Sequence, residues 1–403
     1  MIDVASAIEL IDSHFIKLDK EEASLKKLQG RVLRQPLNAK RDQPPFDRVA
    51  MDGIAIFANE TNRENFIING IQKAGHPPLK LENPDKALEV MTGAMLPVGT
   101  NTVIPYENIS IKDEVAFLND PLKIKKGQNI HFKGSDYTKG ETLLTIGEKL
   151  SSAAVSLVAG LGSNSAIVSK PPQIAIISTG DELISPGKKC KDWQIWRSNP
   201  YGIQAELNGI GINENDIDLY HIGDNQKDML GLFSEILNKY PILIISGGVS
   251  MGKFDFVHSL LPDLGVKKIF HKIKQRPGKP MYFGVGPNQQ NVFGLPGNPV
   301  SALVCLRRYV IPALQKALGQ EHKKYYAVLE KEITFKKSFS LFKAVKVQFN
   351  KKGQLLATPI LSNGSGDFAG LANSDGFIQL PEEGSIYQAG KVFPFFSWQT
   401  GRA

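Results

Sequence analysis

The sequence contains few cysteines and no long apolar run. Only Cys190 and Cys305 are cysteines among 403 residues, which excludes a disulfide-rich secreted protein and clustered cysteine metal ligands. This usage predicts a reducing, cytoplasmic compartment. No apolar run approaches the roughly 18 residues that a membrane-spanning helix needs, so no membrane association is expected. The acidic, amphipathic start of the chain also lacks the pattern of a signal peptide.

Strong charge of one sign is missing as well. Lysine and arginine number 48 against 40 acidic residues, a net charge of +8. That surplus suits an anionic ligand, but an ordinary basic surface also explains it. Because no recognised nucleic-acid motif is present, nucleic acid is not an expected partner. The densest basic stretch lies between positions 267 and 279 and contains Lys267, Lys268, Lys272, Lys274, Arg276 and Lys279.

The chain changes its pattern several times. An amphipathic helix near residues 4–15 precedes short alternating runs between about 46 and 135, which indicate a small all-β unit. A helix follows at about 151–160, with Ser151 or Ser152 as its N-cap. Residues 173–318 alternate apolar strands with amphipathic helices, which predicts a mostly parallel sheet covered on both faces. The runs after His322 predict a compact β domain.

Glycines and acids follow the predicted parallel strands. The run 174–178 is followed by Thr179, Gly180, Asp181 and Glu182, and the strand ending at 222 by Gly223 and Asp224. Segments 247–255 and 296–299 follow two further strands. Because ligands of open α/β sheets bind beyond the carboxyl ends of the strands, this edge predicts a site. For each turn taken alone, helix capping or ordinary turn chemistry remains an alternative.

The segment 247–253 has the G-x-x-x-x-G-K spacing of a P-loop. Position 254 is Phe where a nucleotide hydrolase needs Ser or Thr, so an ordinary ATPase or GTPase is excluded. A glycine loop before a helix still suits an anion, and Asp255 could hold a divalent cation beside it. Several acids at neighbouring strand ends repel each other unless a cation lies between them, which favours Mg²⁺. Lys274, Arg276 and Lys279 could receive phosphate or an oxyanion, or simply form a basic turn.

Taken together, the motifs resemble the molybdopterin molybdenumtransferase family, also called MoeA, whose fold is shared with the E domain of gephyrin. The resemblance rests on segments that occur in order along nearly the whole chain: FDRVAMDG at 46–53, TGA at 92–94, PVG at 97–99, GSD at 134–136, STGDEL at 178–183, GGVSMG at 247–252, PGKP at 277–280, GLPGNP at 294–299 and SGD at 365–367. Any one of these segments is a weak signal, whereas the ordered set is specific.

The resemblance implies an α/β multidomain fold and an elongated homodimer. A dimerisation domain split between 1–45 and 136–172 is expected, with a β-rich lid at 46–135 inserted into it. Residues 173–320 are expected to form the doubly wound, mostly parallel α/β domain that binds molybdopterin. A C-terminal β barrel is expected at 321–403.

The implied reaction inserts molybdenum from molybdate into adenylated molybdopterin, with Mg²⁺-dependent release of AMP. Glu182, Asp224 and Asp255 are the implied metal ligands and catalytic residues, and Asp52 and Thr92 are implied to reach the partner subunit's site from the lid. The implied substrate-binding residues are Asp136, Thr179, Gly180, Asp181, Gly247, Gly248, Ser250, Gly252, Lys274, Arg276, Lys279, Pro296 and Pro299.

Other functions on the same fold remain open at this stage. A molybdopterin adenylyltransferase would attach AMP, but it needs little beyond the α/β domain. A non-catalytic scaffold is the second alternative, and it would tolerate loss of the acids, which are present here. The adenylyltransferase and the recipient molybdoenzymes are the further partners that the resemblance implies.

Overall fold

The computed structural model describes residues 1–58, 63–119, 124–249, 257–320, 323–361, 364 and 366–399. The chain divides into two compact units, described separately below. The larger comprises Met1–Gln35, Ile146–Val155 and Ser165–Ala403, and the smaller comprises Pro36–Thr145 and Ser156–Asn164. The expected dimerisation domain falls partly in each unit, so the four expected domains do not follow this division, and their boundaries remain a prediction. Within the described ranges, no helix is long and apolar enough to cross a membrane.

The smaller unit is built on a six-stranded sheet. Its strands lie in the order Thr102–Pro105, Gly53–Ile56, Lys86–Val90, Asn65–Gln72, Val115–Leu118 and Ile109–Lys112. Strand Arg48–Val49 pairs with Ile130–His131, strand Leu37–Asn38 pairs with Thr142–Leu144, and a 3-10 turn covers Tyr106–Asn108. The alternating runs at 66–71, 87–93, 102–107 and 114–118 therefore form strands as predicted.

The larger unit begins with helix Val4–His14. Asp3 is its N-cap and accepts a hydrogen bond from the Ser6 amide at 2.8 Å. The helix is followed by strand Lys20–Ser24, which pairs antiparallel with Ser165–Ser169, and by a 3-10 turn at Leu25–Lys27. A second helix, Ser152–Gly160, belongs partly to each unit. It begins after Ser151, whose hydroxyl accepts from the Ala154 amide at 3.2 Å as the predicted N-cap should.

The α/β sheet has six strands, of which four are parallel neighbours. In spatial order they are Ile217–Ile222, Ile174–Thr179, Ile242–Ser246, Asn291–Leu295, Tyr282–Val285 and Lys267–His271, and the last two pair antiparallel. The prediction of a mostly parallel sheet is confirmed. Strand Lys267–His271 was not predicted, because Lys267 and Lys268 are exposed at the sheet edge and hide the strand pattern.

Helices cover both faces of this sheet, as expected for a doubly wound domain. One face packs Ile176 and Ile244 with helices Asn199–Gly209, Pro299–Cys305 and Ile311–Ala317. The other packs Ile177 and Ile245 with helices Gln226–Lys239 and Val257–Asp263. Each isoleucine buried this way contributes about 1.5–3 kcal/mol, so the apolar strands fix the sheet inside the domain.

The helix predicted at 300–318 is continuous but not uniform. A π-helical segment, Leu306–Val310, joins Pro299–Cys305 to Ile311–Ala317. Such segments interrupt a regular helix and often occur near functional sites. Short elements complete this region: strands Leu183–Ile184, Ile195–Trp196 and Gln275–Arg276, and the 3-10 turn Glu214–Asp216.

The C-terminal residues form a closed barrel of five strands. Around the barrel the order is Ser340–Phe349, Leu355–Pro359, Tyr325–Leu329, Val392–Ser397 and Gly376–Leu380, and the last strand pairs again with the first. Short strands Ile333–Thr334 and Ile386–Tyr387 and helix Phe368–Ala372 complete it. Buried Leu329, Val345 and Ile378 fill its interior, which confirms the predicted β barrel.

Candidate active site

Four strand ends meet at one edge of the α/β sheet. In register, Thr179 lies beside Ile222, and Ser246 lies beside both Ser178 and Leu295. The next strand in the chain after Ile174–Thr179 is Ile217–Ile222, which lies on one side of it, and the following strand, Ile242–Ser246, lies on its other side. The topological switch point therefore lies between Thr179 and Ser246. Crevices at such points bind ligands in open α/β sheets.

The glycine turn after strand Ile242–Ser246 packs tightly against Thr179. Gly247 and Gly248 have φ angles of +97° and +66°. A Cβ on Gly248 would lie 2.6 Å from Val257 Cγ2 and 3.0 Å from Thr179 Oγ1. The turn therefore requires glycine for both its backbone conformation and its close packing. Its predicted role in anion binding remains a prediction.

Asp181 and Asp224 bind each other's turns. The Asp224 amide donates to Asp181 Oδ1 at 3.1 Å, and the Asp181 amide donates to Asp224 Oδ2 at 3.5 Å. A Cβ on Gly223 would lie 2.3 Å from Asp181 Oδ1, so a larger residue there would displace the Asp181 carboxylate. This exchange holds the exposed Asp181 carboxylate and the half-buried Asp224 carboxylate side by side at neighbouring strand ends.

Glu182 lies back over its own turn. A Cβ on Gly180, whose φ is +133°, would lie 2.4 Å from Glu182 Oε2. The Glu182 carbonyl accepts a hydrogen bond from the Ile195 amide at 2.9 Å. This bond closes the base of the loop formed by residues 185–194. Thr179, Gly180, Asp181 and Glu182 are thus brought together as predicted.

Carboxylate oxygens are donors that Mg²⁺ prefers, so the exposed Glu182 and the half-buried Asp224 fit a magnesium ion chemically. Among the described side chains, however, no three acids, histidines or cysteines converge as a metal site. The predicted ligand Asp255 and the predicted substrate-binding residues Ser250 and Gly252 lie outside the described residues. The magnesium site therefore remains a prediction.

Asn199 is a residue of this edge that the sequence did not reveal. It is the first residue of helix Asn199–Gly209, and its Nδ2 donates to Ser246 Oγ at 2.7 Å and to the Gly297 carbonyl at 2.8 Å. Its Oδ1 is buried and has no hydrogen-bond partner within the described part of the chain. Asn199 thus ties two strand ends together. Its position before a proline at a helix start was the available signal.

The predicted wall residues Pro296 and Pro299 lie at the next strand end. Pro296 is buried and directly follows strand Asn291–Leu295, while Pro299 begins the long helix. A proline at the first helical position needs no backbone N–H, so Pro299 fixes where the helix starts. Both residues shape the same edge as Asn199.

The predicted basic segment reaches this edge too. Strand Lys267–His271 runs parallel to Asn291–Leu295, and Tyr282–Val285 returns antiparallel, so the connecting residues 272–281 lie at the carboxyl edge. We call these residues the basic loop. Lys274 Nζ lies 3.4 Å from Glu382 Oε1, and Lys279 Nζ lies 5.5 Å from the centre of the Phe339 ring.

The edge is therefore ordered by charge. Acids follow the strands at one end, the glycine turn lies in the middle, and the basic loop lies at the other end. With about 4.8 Å between neighbouring strands, the four steps from Ile217–Ile222 to Tyr282–Val285 span about 19 Å. That length suits an extended, multiply charged ligand.

The smaller unit holds the other predicted residues. The Thr92 amide donates to Asp52 Oδ1 at 2.6 Å, and this bond lowers the pKa of the exposed Asp52 carboxyl. The structure thus places Asp52 and Thr92 in contact. Whether they reach a partner's site remains a prediction.

Asp136 lies in a separate polar chain of the smaller unit. Its Oδ1 lies 2.8 Å from His131 Nε2, and Arg48 Nη2 lies 2.7 Å from His131 Nδ1. Because arginine only donates, Nδ1 accepts, and the proton of a neutral ring is on Nε2, facing Asp136. Sequence reasoning missed His131, since a lone histidine between apolar residues gave no signal.

Three family profiles match the chain in order. A MoeA N-terminal region (domain I and II) matches residues 2–162, a probable molybdopterin binding domain matches 175–316, and a MoeA C-terminal region (domain IV) matches 326–398. The second profile covers the six-stranded sheet and its carboxyl edge. The sheet is therefore similar to those of molybdopterin-binding domains.

Relatives match over nearly the full length. The chain is 38% identical over 401 residues to molybdopterin molybdenumtransferase from Synechocystis sp., covering 99% of this chain and 100% of the relative. It is 31% identical over 379 residues to the protein of the same name from Haemophilus influenzae, covering 92% of each. A crystal structure of the molybdopterin biosynthesis moeA protein from Pyrococcus horikoshii OT3 matches with a TM-score of 0.81 at 28% identity, covering 98% of this chain and 100% of that one. The chain belongs to the molybdopterin molybdenumtransferase family.

Proposed function

We propose that this protein inserts molybdenum from molybdate into adenylated molybdopterin and releases AMP in a Mg²⁺-dependent step. Family membership supports the transfer of molybdenum in cofactor biosynthesis. The observation that supports the particular substrates is the order of charge along the sheet edge, with acids, glycine turn and basic loop in succession. An adenylated pterin and an oxyanion together need sites for a metal and for several negative charges.

Each part of the edge has a role in this proposal. The crevice at the switch point receives the pyrophosphate group. It is bordered by the turn at Gly247 and Gly248 and by the turn that follows Thr179. Lys274, Arg276 and Lys279 hold molybdate through charge-assisted hydrogen bonds. Mg²⁺, held by Glu182 and Asp224 with Asp255, would neutralise charge on the phosphates as the anhydride bond breaks.

Further proposals concern assembly and location. We propose a homodimer in which Asp52 and Thr92 of the β-rich lid complete the partner subunit's site. The molybdopterin adenylyltransferase and recipient molybdoenzymes are proposed as transient partners, the first supplying the substrate and the second accepting the product. A reducing cytoplasm suits both free cysteines, Cys190 and Cys305.

One assay tests the reaction. Adenylated molybdopterin is incubated with the protein, and AMP is followed over time with and without molybdate and with and without a chelator. We expect AMP release only when both molybdate and a divalent cation are present. Equal release after exhaustive chelation would remove the metal from the proposal, and no release under any condition would refute the reaction itself.

A further inference from the structure

A buried glutamine lies beneath the basic loop. Gln275 is only 1% exposed, and its side chain uses both ends of its amide. Nε2 donates to the carbonyls of Pro277 at 3.0 Å and Gly278 at 3.3 Å, while Oε1 accepts from the Tyr309 hydroxyl. The amide therefore joins two backbone carbonyls of the loop to one side chain of the long helix.

The fit between loop and helix is tight. Gly278 has a φ of +87°, and a Cβ there would lie 2.4 Å from Cys305 Sγ and 2.7 Å from Gln275 Nε2. Cys305 is the last residue before the π-helical segment, and Tyr309 lies within it. Both side chains are buried, and burial raises the pKa of the Cys305 thiol to about 12. The loop thus rests on a neutral surface that contacts it through specific hydrogen bonds.

The neighbours of Gln275 are two of the cations in the proposed site. Gln275 and Arg276 form a short strand that pairs with Ser340 and Leu341 of the barrel. In an extended segment successive side chains point to opposite sides. Because Gln275 is buried, Lys274 and Arg276 are directed away from the helix, and both are more exposed than Gln275.

We propose that Gln275, through Tyr309, is a positioning residue that sets the basic loop for oxyanion binding. The inference rests on the proposed function, because it takes the loop cations as the molybdate site. An aliphatic residue would leave the Tyr309 hydroxyl and two loop carbonyls without these bonds. Buried polar groups are costly to leave unpaired, so the loop would shift to find new partners. Small displacements of binding groups lower affinity strongly.

The chain offers a matched control at the opposite edge of the sheet. Gln290 is 5% exposed, its Nε2 donates to the Leu237 carbonyl at 2.6 Å, and its Oε1 accepts from the Asn288 amide at 2.9 Å. It supports the turn between strands Tyr282–Val285 and Asn291–Leu295, and the first of these strands also borders the basic loop. Gln275→Leu and Gln290→Leu therefore remove equivalent buried amides.

The first measurement is molybdate binding to the full-length protein by calorimetry, with thermal melting alongside. We expect both variants to melt earlier by similar amounts, and only Gln275→Leu to weaken molybdate binding, by about tenfold or more. Tyr309→Phe removes one of the bonds and should give a smaller loss. Equal molybdate affinity in Gln275→Leu and Gln290→Leu would show that Gln275 is merely structural.

Two further readouts separate this inference from the proposed reaction. In AMP-release assays, Gln275→Leu should raise the KM for molybdate more than it lowers kcat. Amide hydrogen exchange should speed up in residues 272–281 of Gln275→Leu only. Faster exchange with unchanged molybdate binding would mean that Gln275 orders the loop but that the loop is not the oxyanion site. That result would overturn the inference and the proposed role of the three cations, while leaving AMP release itself unaffected.

Discussion

At the residue scale, Asp224 combines a structural contact with a proposed role in binding Mg²⁺. Asp181 and Asp224 each use one oxygen to accept the other's backbone amide. A carboxylate has a second oxygen and a full negative charge, so a structural bond does not prevent cation binding. An asparagine in the same place keeps an acceptor oxygen but loses the charge. The two tasks can therefore be separated by one substitution.

For Asp224→Asn we expect nearly unchanged melting and a strong loss of AMP release. The retained oxygen still accepts from the Asp181 amide, whereas the charge that would attract Mg²⁺ is gone. Removing one such electrostatic contact typically lowers the rate by about 10²–10³-fold. Melting curves and rates at saturating Mg²⁺ provide the comparison, with Asp228→Asn in the first turn of helix Gln226–Lys239 as the control. A normal rate would exclude Asp224 from catalysis.

The two cysteines differ sharply in accessibility. Cys305 is fully buried, and burial raises its thiol pKa to about 12. Cys190 is half-buried in the loop formed by residues 185–194. Only the thiolate reacts with alkylating reagents. We expect iodoacetamide at neutral pH to modify Cys190 alone in the native protein and both cysteines in denaturant. Mass spectrometry of tryptic peptides checks this, and rapid native labelling of Cys305 would contradict the packing beneath the basic loop.

At the scale of elements, turns determine the geometry of the site. The glycine turn after strand Ile242–Ser246 and the basic loop both depend on glycines with positive φ. In both, the missing Cβ allows another group to approach closely: Thr179 in the turn and Cys305 in the loop. The strands and helices thus form the scaffold, and close contacts at glycines position the glycine turn and the basic loop on it.

We expect Gly248→Ala to destabilise the protein by about 1–3 kcal/mol, because alanine is strained at a φ of +66° and its Cβ would contact Val257 and Thr179. The matched control is Gly231→Ala in helix Gln226–Lys239, where nothing lies within 4 Å of the added Cβ. That change should instead stabilise by about 0.5–1 kcal/mol. Denaturant titration measures both, and equal effects would show that the turn is not constrained as described.

A buried ion pair links two helices of the domain. Glu206 on helix Asn199–Gly209 lies 3.3 Å from Arg307 in the π-helical segment, and their side chains are 12% and 13% exposed. Desolvation raises the pKa of Glu206 from 4.5 to about 7, although the attraction of Arg307 opposes the shift. Between these two pH values, Glu206 is therefore protonated more often in the native protein than in the unfolded chain.

Stability should depend on this proton. Between pH 4.5 and about 7 the native state binds more protons at Glu206 than the unfolded chain, so its contribution to the free energy of unfolding falls as the pH rises. Glu206→Gln should flatten this part of the pH dependence, whereas Glu235→Gln on the exposed face of helix Gln226–Lys239 should not. Urea titrations across this pH range test the difference. Parallel curves for wild type and Glu206→Gln would contradict the buried-acid interpretation.

At the scale of the whole molecule, the proposed homodimer is the feature to test first. Asp52 and Thr92 lie in the smaller unit, whereas the acids and the basic loop lie in the larger one. A homodimer would give a solution mass about twice the 44.3 kDa of one chain. Light scattering at micromolar concentration should show that mass. If only monomer is present while AMP is still released, the partner contribution of Asp52 and Thr92 is wrong.

Complementation within a mixed dimer tests the same idea. Asp52→Asn and Asp224→Asn should each lower activity as separate proteins. If the two residues complete one site from different subunits, mixed dimers regain one intact site and part of the activity. Mixing after mild dissociation, followed by the AMP assay, provides the measurement. No recovery in verified mixed dimers would contradict a shared site.

The sequence alone determined most of the secondary structure and named the sheet edge at which the site is proposed. Apolar β-branched runs and amphipathic segments predicted the strands and helices of residues 173–318, because these patterns follow from burial of local faces. Glycines and acids after each strand also predicted the functional edge, since parallel strands end on the same side. The barrel and the β-rich unit were predicted from alternating runs, for the same local reason.

Only the tertiary structure decided the order of strands and the buried polar contacts. The spatial order of the acids, the glycine turn and the basic loop along the edge depends on which strands pair. These strands are distant in the chain, and local periodicity does not encode their pairing. His131 and Gln275 gave no sequence signal, and Asn199 gave only its position before a proline at a helix start, because a polar residue matters here through partners far away in the chain. Gln275 in particular lies in the densest basic stretch, and only the packing of residues 272–281 on the long helix shows that it is buried.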